Sequence, residues 1–325
     1  LAESALLRAL AFQHAGAEAA AGELLDGVDA AGNTPNREDV GACIAWCARS
    51  WVASQEGRAD EAVRAGERAV AAVGSSQAAL RYHPHYFLAQ ALLGADQFDR
   101  FDEVAGEGRA TSVRLGTVWQ LPVWSSTIAA KHLRAGDWDR ALAEAEVGLG
   151  WARDTESRIG VPWLMCHQAL VALWRGEQDA AADRLSDAQD ALGDDLRPGS
   201  DGVLWVQGLL AEEQGDLDTA LGSLGALWDL AEGLGVVARL ATIGPDVVRV
   251  ALAAGDLARA KRVVDALDRH REVSAPPSAV AGADRCRGLV LGDADVLARA
   301  CAGYEGSPAV TEAAMAHADA AAAFA

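Results

Sequence analysis

The stretch AAKHLRAGDWDRAL, from Ala129 to Leu142, contains the pattern that decides the fold. One helix-forming run ends at Ala135-Gly136, and a second run begins directly after it with aspartates and alanines. Glycine suits the end of a helix because it has no Cβ and adopts left-handed backbone geometry at little cost. The stretch therefore predicts two helices joined by a tight turn.

The same turn recurs along the whole chain at intervals of 37 to 41 residues. The second residues of the eight turns are Gly16, Gly57, Asp96, Gly136, Gly176, Gly215, Gly255 and Gly292. Aspartate replaces glycine once, and it tolerates left-handed geometry better than most residues do. A turn repeated at this spacing predicts an array of helix pairs.

Three further positions keep a constant distance from the turn. Small residues lie seven before it and five after it, where two helices must cross closely: Ala9, Ser50, Ala89, Ala129, Ala169 and Gly208, then Ala21, Ala62, Ala141, Ala181, Ala220 and Ala260. Aspartates lie three after it, where we expect them to cap the second helix and suit its dipole: Asp60, Asp99, Asp139, Asp179, Asp218 and Asp295. Small residue, glycine turn and alanine form the pattern of tetratricopeptide-like repeats.

The sequence therefore predicts an all-α fold, a right-handed superhelical solenoid of about eight tetratricopeptide-like helix-turn-helix repeats. We expect residues 1–325 to form a single repeat domain, with a bend near residues 193–202, where proline and glycine interrupt the pattern. Because the chain begins and ends within helical patterns, we expect it to be part of a larger polypeptide.

Composition and motifs narrow the function classes. The formal net charge of −19 repels phosphate backbones, so we expect no direct nucleic-acid binding. No P-loop, dinucleotide-binding glycine motif or His-Glu-x-x-His motif occurs. No apolar run is long enough for a membrane span, and five scattered cysteines favour a reduced, cytoplasmic protein.

Four groups of neighbouring side chains invite a chemical interpretation: Cys43 with Cys47, His83 with His85 and Tyr86, Cys166 with His167, and Glu212 with Glu213. The two cysteines lack further ligands nearby, which favours buried packing over a metal site. Cys166 and His167 are adjacent on a helix and point about 100° apart, which disfavours a nucleophile–base pair. The sequence thus predicts no catalytic residue, no metal site and no cofactor.

In tetratricopeptide-like superhelices the first helix of each pair lines the concave face. Counting back from each turn selects a set of candidate ligand-binding residues: Trp51, His83, Tyr86, Gln90, Arg134, Trp163, Cys166, Trp205, Glu212 and Arg249. This set is rich in aromatic residues for a chain with 6% aromatics, and an apolar groove with a few polar groups is typical of a small-molecule site. The alternative is that the tryptophans pack between repeats.

Several stretches resemble the helical repeats of large actinobacterial LuxR-family transcriptional regulators. They are Ala135 to Leu142 (AGDWDRAL), Gly244 to Asp256 (GPDVVRVALAAGD), Arg285 to Val290 (RCRGLV) and Tyr304 to Pro308 (YEGSP). In that family an NTPase module precedes the helical array and a DNA-binding helix-turn-helix follows it. The resemblance implies a sensor region whose partners are those two domains in the full-length protein.

Two functions remain open on these grounds. The first is an effector-sensing domain that binds a small molecule in the concave groove and regulates the adjoining domains. The second is a protein–protein interaction scaffold without a small-molecule ligand, which would bind a partner chain or form a homo-oligomer through an exposed face of the first helices. An enzyme would need titratable groups that converge in one pocket, and the sequence offers only scattered candidates.

Overall fold

The computed structural model describes residues 2–11, 14–30, 40–74, 76–193, 198–270 and 275–324, and this part of the chain is all-α. Its helices are α1 Ala2–Leu10, α2 His14–Ala30, α3 Val40–Gln55, α4 Ala59–Ala71, α5 Gln77–Leu80, α6 Pro84–Gly94, α7 Phe98–Leu115, α8 Leu121–Arg134, α9 Trp138–Asp154, α10 Val161–Trp174, α11 Gln178–Leu192, α12 Ser200–Glu213, α13 Leu217–Gly233, α14 Val237–Ala253, α15 Leu257–His270, α16 Pro277–Leu291, α17 Ala294–Tyr304 and α18 Val310–Phe324, with a short 3-10 helix at Val118–Gln120. No helix in these ranges is both long and apolar enough to cross a membrane.

Consecutive helices pack in pairs, and within each unit neighbouring pairs pack on one another. Helix α3 packs against α4, α8 against α9, α10 against α11 and α12 against α13. The first helices of neighbouring pairs also contact one another, as α8 does with α10 and α10 with α12. This succession of neighbour contacts is the packing of an all-α solenoid.

The predicted turns are confirmed at seven of the eight positions. The residues at 57, 136, 176, 215, 255 and 292 are glycines with φ between +60° and +77°, and Asp96 has a φ of +59°. The first turn was predicted wrongly: Ala15 and Gly16 lie inside α2, which begins at His14. A glycine in an alanine-rich run is a weak stop signal, because the helix can continue through it at a modest cost.

The aspartates three residues after each turn were predicted to cap the second helix, and this position was wrong. Asp139 and its equivalents lie inside the first turn of the second helix, where they suit its dipole. In α9 and α15 the cap comes two residues earlier, directly after the glycine. There Asp137 accepts a hydrogen bond from the Arg140 N–H at 3.3 Å, and Asp256 accepts one from the Arg259 N–H at 2.9 Å.

The small residues lie where the helices of a pair cross. Ser50 on α3 is buried, and its hydroxyl donates to the Ala62 carbonyl on α4 at 2.9 Å. Gly208 on α12 packs so closely on α13 that a Cβ at this position would lie 2.5 Å from Leu224 Cγ. The sequence prediction of close crossings is confirmed at these positions.

The helices group into two compact units. Unit 1 comprises residues 1–117, 234–238 and 273–276, and unit 2 comprises residues 118–233, 239–272 and 277–325. The single repeat domain expected for residues 1–325 stays a prediction. Of the segment in which we predicted a bend, residues 194–197 lie outside the described part of the chain.

Unit 2 has a contact between helices that are far apart in sequence. Thr311 on α18 donates from its hydroxyl to the Leu133 carbonyl at the end of α8 at 2.6 Å. The indole N–H of Trp138 donates to the same hydroxyl at 3.3 Å, and Arg134 Nε donates to Glu312 at 2.8 Å. The last helix of unit 2 is therefore fixed to the first one.

The motif RCRGLV, which carries much of the family resemblance, has a structural role in α16. Arg285 is 3% exposed and donates from Nε to Asp319 on α18 at 2.5 Å. Cys286 is buried, and a Cβ on Gly288 would lie 2.7 Å from Leu297 Cγ on α17. These residues hold the end of the array together.

Candidate functional site

Four of the predicted ligand-binding residues lie in unit 1: Trp51 on α3, His83 directly before α6, and Tyr86 and Gln90 on α6. Trp51 is half-buried against Phe87, with ring centroids 6.0 Å apart in an edge-to-face arrangement. His83 precedes α6 with a left-handed φ of +54°, and burial lowers its pKa to about 4. Gln90 Nε2 donates to the Tyr86 hydroxyl at 2.7 Å, so these two side chains form a pair on one face of α6.

The cysteines and the second histidine of unit 1 belong to its core. Cys43 and Cys47 are fully buried, as packing residues should be, and burial raises the pKa of the Cys47 thiol well above its usual value. His85 is buried and lies 3.6 Å from Glu107 on α7. These side chains connect helices of the unit.

Arg134 lies in the contact between α8 and α18. Besides Glu312, its guanidinium contacts Ser278 through Nη2 at 3.0 Å. Glu312 is 14% exposed, so the ion pair is largely screened from water. This geometry makes Arg134 a residue that joins helices.

The remaining candidates lie on α10, α12 and α14 of unit 2, each of which is the first helix of its helix pair. The indole N–H of Trp163 on α10 donates to Asp201 Oδ1 on α12 at 2.9 Å. Arg239, on the first turn of α14, donates from Nη2 to the other oxygen of Asp201 at 2.8 Å. Its Cζ lies 5.6 Å from the ring centroid of Trp205, within the range of a cation–π contact.

The same arrangement of a tryptophan, an aspartate and an arginine recurs one repeat further along the chain. The indole N–H of Trp205 on α12 donates to Asp246 Oδ2 on α14 at 2.9 Å, and Arg249 Nη1 donates to Asp246 Oδ1 at 2.9 Å. Arg249 also donates from Nε and Nη2 to the two oxygens of Glu212, at 2.7 and 2.6 Å. Although burial disfavours its charge, Asp246 and Glu212 raise the pKa of Arg249 above its usual value.

These residues form one connected set, which we call the Trp–carboxylate cluster: Trp163, Asp201, Trp205, Glu212, Arg239, Asp246 and Arg249. Three carboxylates and two guanidinium groups give it a formal charge of −1. Its members are mostly half-buried, with Asp201 33% exposed and Arg239 35% exposed. The cluster therefore presents aromatic faces and charged groups to solvent along three helices.

Cys166 and His167 lie beside the cluster on α10, and burial shifts the pKa of both side chains. Burial, and next the nearby Asp201, raise the pKa of the Cys166 thiol to about 12. His167 Nε2 lies 3.1 Å from the Ser126 carbonyl on α8 and 3.3 Å from the Ser126 hydroxyl. Because the carbonyl can only accept, we assign the proton to Nε2. Burial, and next the charge of Arg239, lower the pKa of His167 to about 4, and the neutral ring keeps Nδ1 as an acceptor.

Two buried polar atoms beside the cluster have no hydrogen-bond partner among the described residues. They are His167 Nδ1, an acceptor, and Arg239 Nε, a donor. Buried polar atoms are satisfied in the great majority of cases, and an exception calls for an explanation such as strain, a functional role or contact with a small molecule or ion. Ion-paired side chains elsewhere, such as Arg259 and Glu312, also have one such atom, so what sets these two apart is their position beside the aromatic side chains of the cluster.

The sequence analysis found four of the seven cluster residues and missed Asp201, Arg239 and Asp246. A signal was present, because a half-buried indole N–H needs an acceptor. Asp201 follows Trp163 by 38 residues and Asp246 follows Trp205 by 41, which is one repeat in each case. The count of positions back from each turn did not use this requirement.

Within the described residues, no group of three or more histidines, cysteines or acidic residues could hold a metal ion. Comparison of the chain with protein-family models finds no match, and comparison with curated proteins finds none either.

Proposed function

We propose that this chain is an effector-sensing region that binds a small molecule at the Trp–carboxylate cluster. The observation that supports it is the meeting of two tryptophans and five charged groups on α10, α12 and α14. Arg239 and His167 there each have a buried polar atom that no other described residue contacts by a hydrogen bond. Aromatic surfaces with a few convergent polar groups are typical of small-molecule sites.

The wider proposal concerns the fold family and the partners. We propose a right-handed array of tetratricopeptide-like repeats that belongs to a LuxR-family transcriptional regulator. The repeated left-handed turns and close helix crossings support the repeat class. The structural roles of Arg285 and Gly288 explain why the RCRGLV motif would be kept in such an array. The partners would be the NTPase and helix-turn-helix domains.

The ligand proposal is tested by thermal unfolding of the wild-type chain in the presence of a library of cellular metabolites. A ligand that binds only the folded state raises the melting temperature by mass action, by an amount that grows with its concentration. We expect at least one compound to do so, and we expect Trp205→Leu to abolish the shift.

Trp119→Leu is the matched control, because Trp119 is 45% exposed and lies outside the cluster. Its shift should equal that of the wild type. A library without any stabilising compound, or a shift that Trp205→Leu leaves intact, would refute binding at the cluster. Binding of a protein chain in place of a metabolite would support the scaffold function.

The family proposal is tested by reading the full gene. We expect a glycine-rich nucleotide-binding loop upstream of this region and a helix-turn-helix downstream of it. A gene that encodes neither would refute the proposed partners. It would not affect the proposed ligand site, which the thermal-unfolding experiment tests separately.

A further inference from the structure

The two arginines of the Trp–carboxylate cluster are held very differently. Arg249 uses Nε, Nη1 and Nη2 in hydrogen bonds to two carboxylates. Arg239 makes one hydrogen bond, from Nη2 to Asp201, while its buried Nε has no partner among the described residues. A buried donor without a partner destabilises the folded state. Arg249 is therefore fixed in place, and Arg239 is poorly satisfied.

The position that the Arg239 guanidinium occupies has the chemistry of a cation site. Asp201 lies on one side of it, and the face of Trp205 lies 5.6 Å from its Cζ. A carboxylate together with an indole face is the combination that recognises organic cations. Asp201 is itself oriented by the indole N–H of Trp163.

The neighbouring groups favour a ligand that donates hydrogen bonds. His167 Nδ1 is a buried acceptor without a partner among the described residues, and Asp201 adds two carboxylate oxygens. An anionic ligand would have to compete with Glu212 and Asp246 for Arg249, and with Asp201 for Arg239. The formal charge of −1 on the cluster adds to this preference.

We propose that Asp201 and Trp205 form a binding site for an organic cation, and that Arg239 occupies this site as an internal substitute until a ligand displaces it. The ligand carries an amidinium, guanidinium or ammonium group on an apolar body. Its cationic group pairs with Asp201 and lies over Trp205, while the Arg239 side chain, already 35% exposed, moves into solvent. The inference rests on the proposed small-molecule site and specifies the charge of its ligand.

The test uses three probes with one ring and different charges, which are benzamidinium, benzyl alcohol and benzoate. Calorimetric titration of the wild-type chain should show benzamidinium binding at least tenfold more tightly than either of the others. Arg239→Gln removes the internal competitor and should tighten benzamidinium binding about tenfold. Asp201→Asn should weaken it at least tenfold, because the carboxylate is lost.

Arg175→Ala is the control, since Arg175 pairs with the exposed Asp139 outside the cluster and its removal should leave the dissociation constant unchanged. Should Arg239→Gln fail to fold, Arg239→Lys serves instead, because a shorter, single-point donor competes less well and should still tighten binding. Benzoate or benzyl alcohol binding as tightly as benzamidinium would overturn the inference. So would an unchanged benzamidinium affinity in both Arg239→Gln and Asp201→Asn.

The outcomes separate this inference from the proposed function. If benzoate or benzyl alcohol binds and Trp205→Leu abolishes that binding, the small-molecule site stands and the cation inference fails. If none of the three probes binds and the metabolite library also gives no shift, both fail.

Discussion

At the scale of single residues, two glycines on α9 show how closely the helices approach one another. A Cβ on Gly148 would lie 2.6 Å from Ser125 Cβ on α8 and 2.8 Å from Leu164 Cδ1 on α10. A Cβ on Gly150, two residues nearer the helix end, would meet only Arg153 Nη2, at 4.0 Å. Gly148 is therefore closely packed and Gly150 is not, although both lie on the same helix.

We therefore expect opposite effects from the same substitution. Gly148→Ala should lower the free energy of unfolding by about 1 to 3 kcal/mol, because Ser125 and Leu164 are buried and have no room to move. Gly150→Ala should raise it by about 0.5 to 1 kcal/mol, because alanine favours the helix. Urea denaturation measures both, and equal effects of the two substitutions would contradict the close packing at Gly148.

His167 gives a prediction about pH. Its pKa in the folded chain is about 4, lowered first by burial and then by Arg239, against about 6.5 in an unfolded chain. Between these values the unfolded chain binds the proton more readily, so stability falls as the pH decreases from 6.5 towards 4. The loss attributable to His167 should reach about 2 to 3 kcal/mol at the lower end.

The contribution of His167 is isolated by comparison with His167→Asn, which cannot gain this charge. We expect the wild type to lose stability more steeply than the variant between pH 6.5 and 4, measured by urea denaturation at closely spaced pH values. Other acidic and basic groups titrate in both proteins and cancel in the difference. Parallel curves for the two proteins would show that His167 is not held neutral in the folded chain.

At the scale of helices, the contact between α8 and α18 should stabilise unit 2. Arg134 and Glu312 are 21% and 14% exposed, and they join residues that are 178 apart in sequence. Arg134→Ala leaves a mostly buried carboxylate without its cation, which should lower the free energy of unfolding by about 2 to 3 kcal/mol. Thermal and urea denaturation measure this loss.

Arg175→Ala is the matched control, because Arg175 also lies within two residues of a turn glycine but pairs with Asp139, which is 89% exposed. Exposed ion pairs contribute between zero and about 1 kcal/mol. A loss in Arg134→Ala no larger than in Arg175→Ala would contradict a stabilising role of the α8–α18 contact.

At the scale of the whole molecule, the repeat pattern was readable from the sequence because each repeat meets the same local requirements. Turn residues such as Gly176 need a left-handed φ, and crossing residues such as Ala220 need a small side chain, so both leave a mark at constant spacing. Gly16 broke the rule because a single glycine does not end an alanine-rich helix when nothing else opposes it.

The candidate site was less readable, because it depends on contacts between repeats. The aromatic positions Trp163 and Trp205 follow from helical spacing, but their partners Asp201 and Asp246 are fixed by how neighbouring helices are packed. Arg134 has a residue type suited to a ligand, yet its partner Glu312 lies four repeats away, and no local pattern points to it. Long-range pairs of this kind require the three-dimensional structure.

The net charge of −19 leads to the last prediction, which concerns the molecule as a whole. Like charges on a compact chain repel one another and destabilise it, and salt screens this repulsion over about 10 Å at 0.1 M. Largely buried pairs such as Arg134 with Glu312 are screened much less. Raising sodium chloride from 20 to 300 mM at pH 7 should therefore raise the melting temperature by several degrees.

The control for this effect is the same salt series near the isoelectric point, about pH 4.7, where the net charge vanishes. There the repulsion is absent, so salt should change the melting temperature little, or lower it by weakening ion pairs. A melting temperature that falls with salt at pH 7 would show that attractive pairs such as Arg249 with Glu212 outweigh the repulsion. The sign of the salt dependence thus decides whether the acidic surface or the ion pairs between helices dominate the electrostatic free energy of this chain.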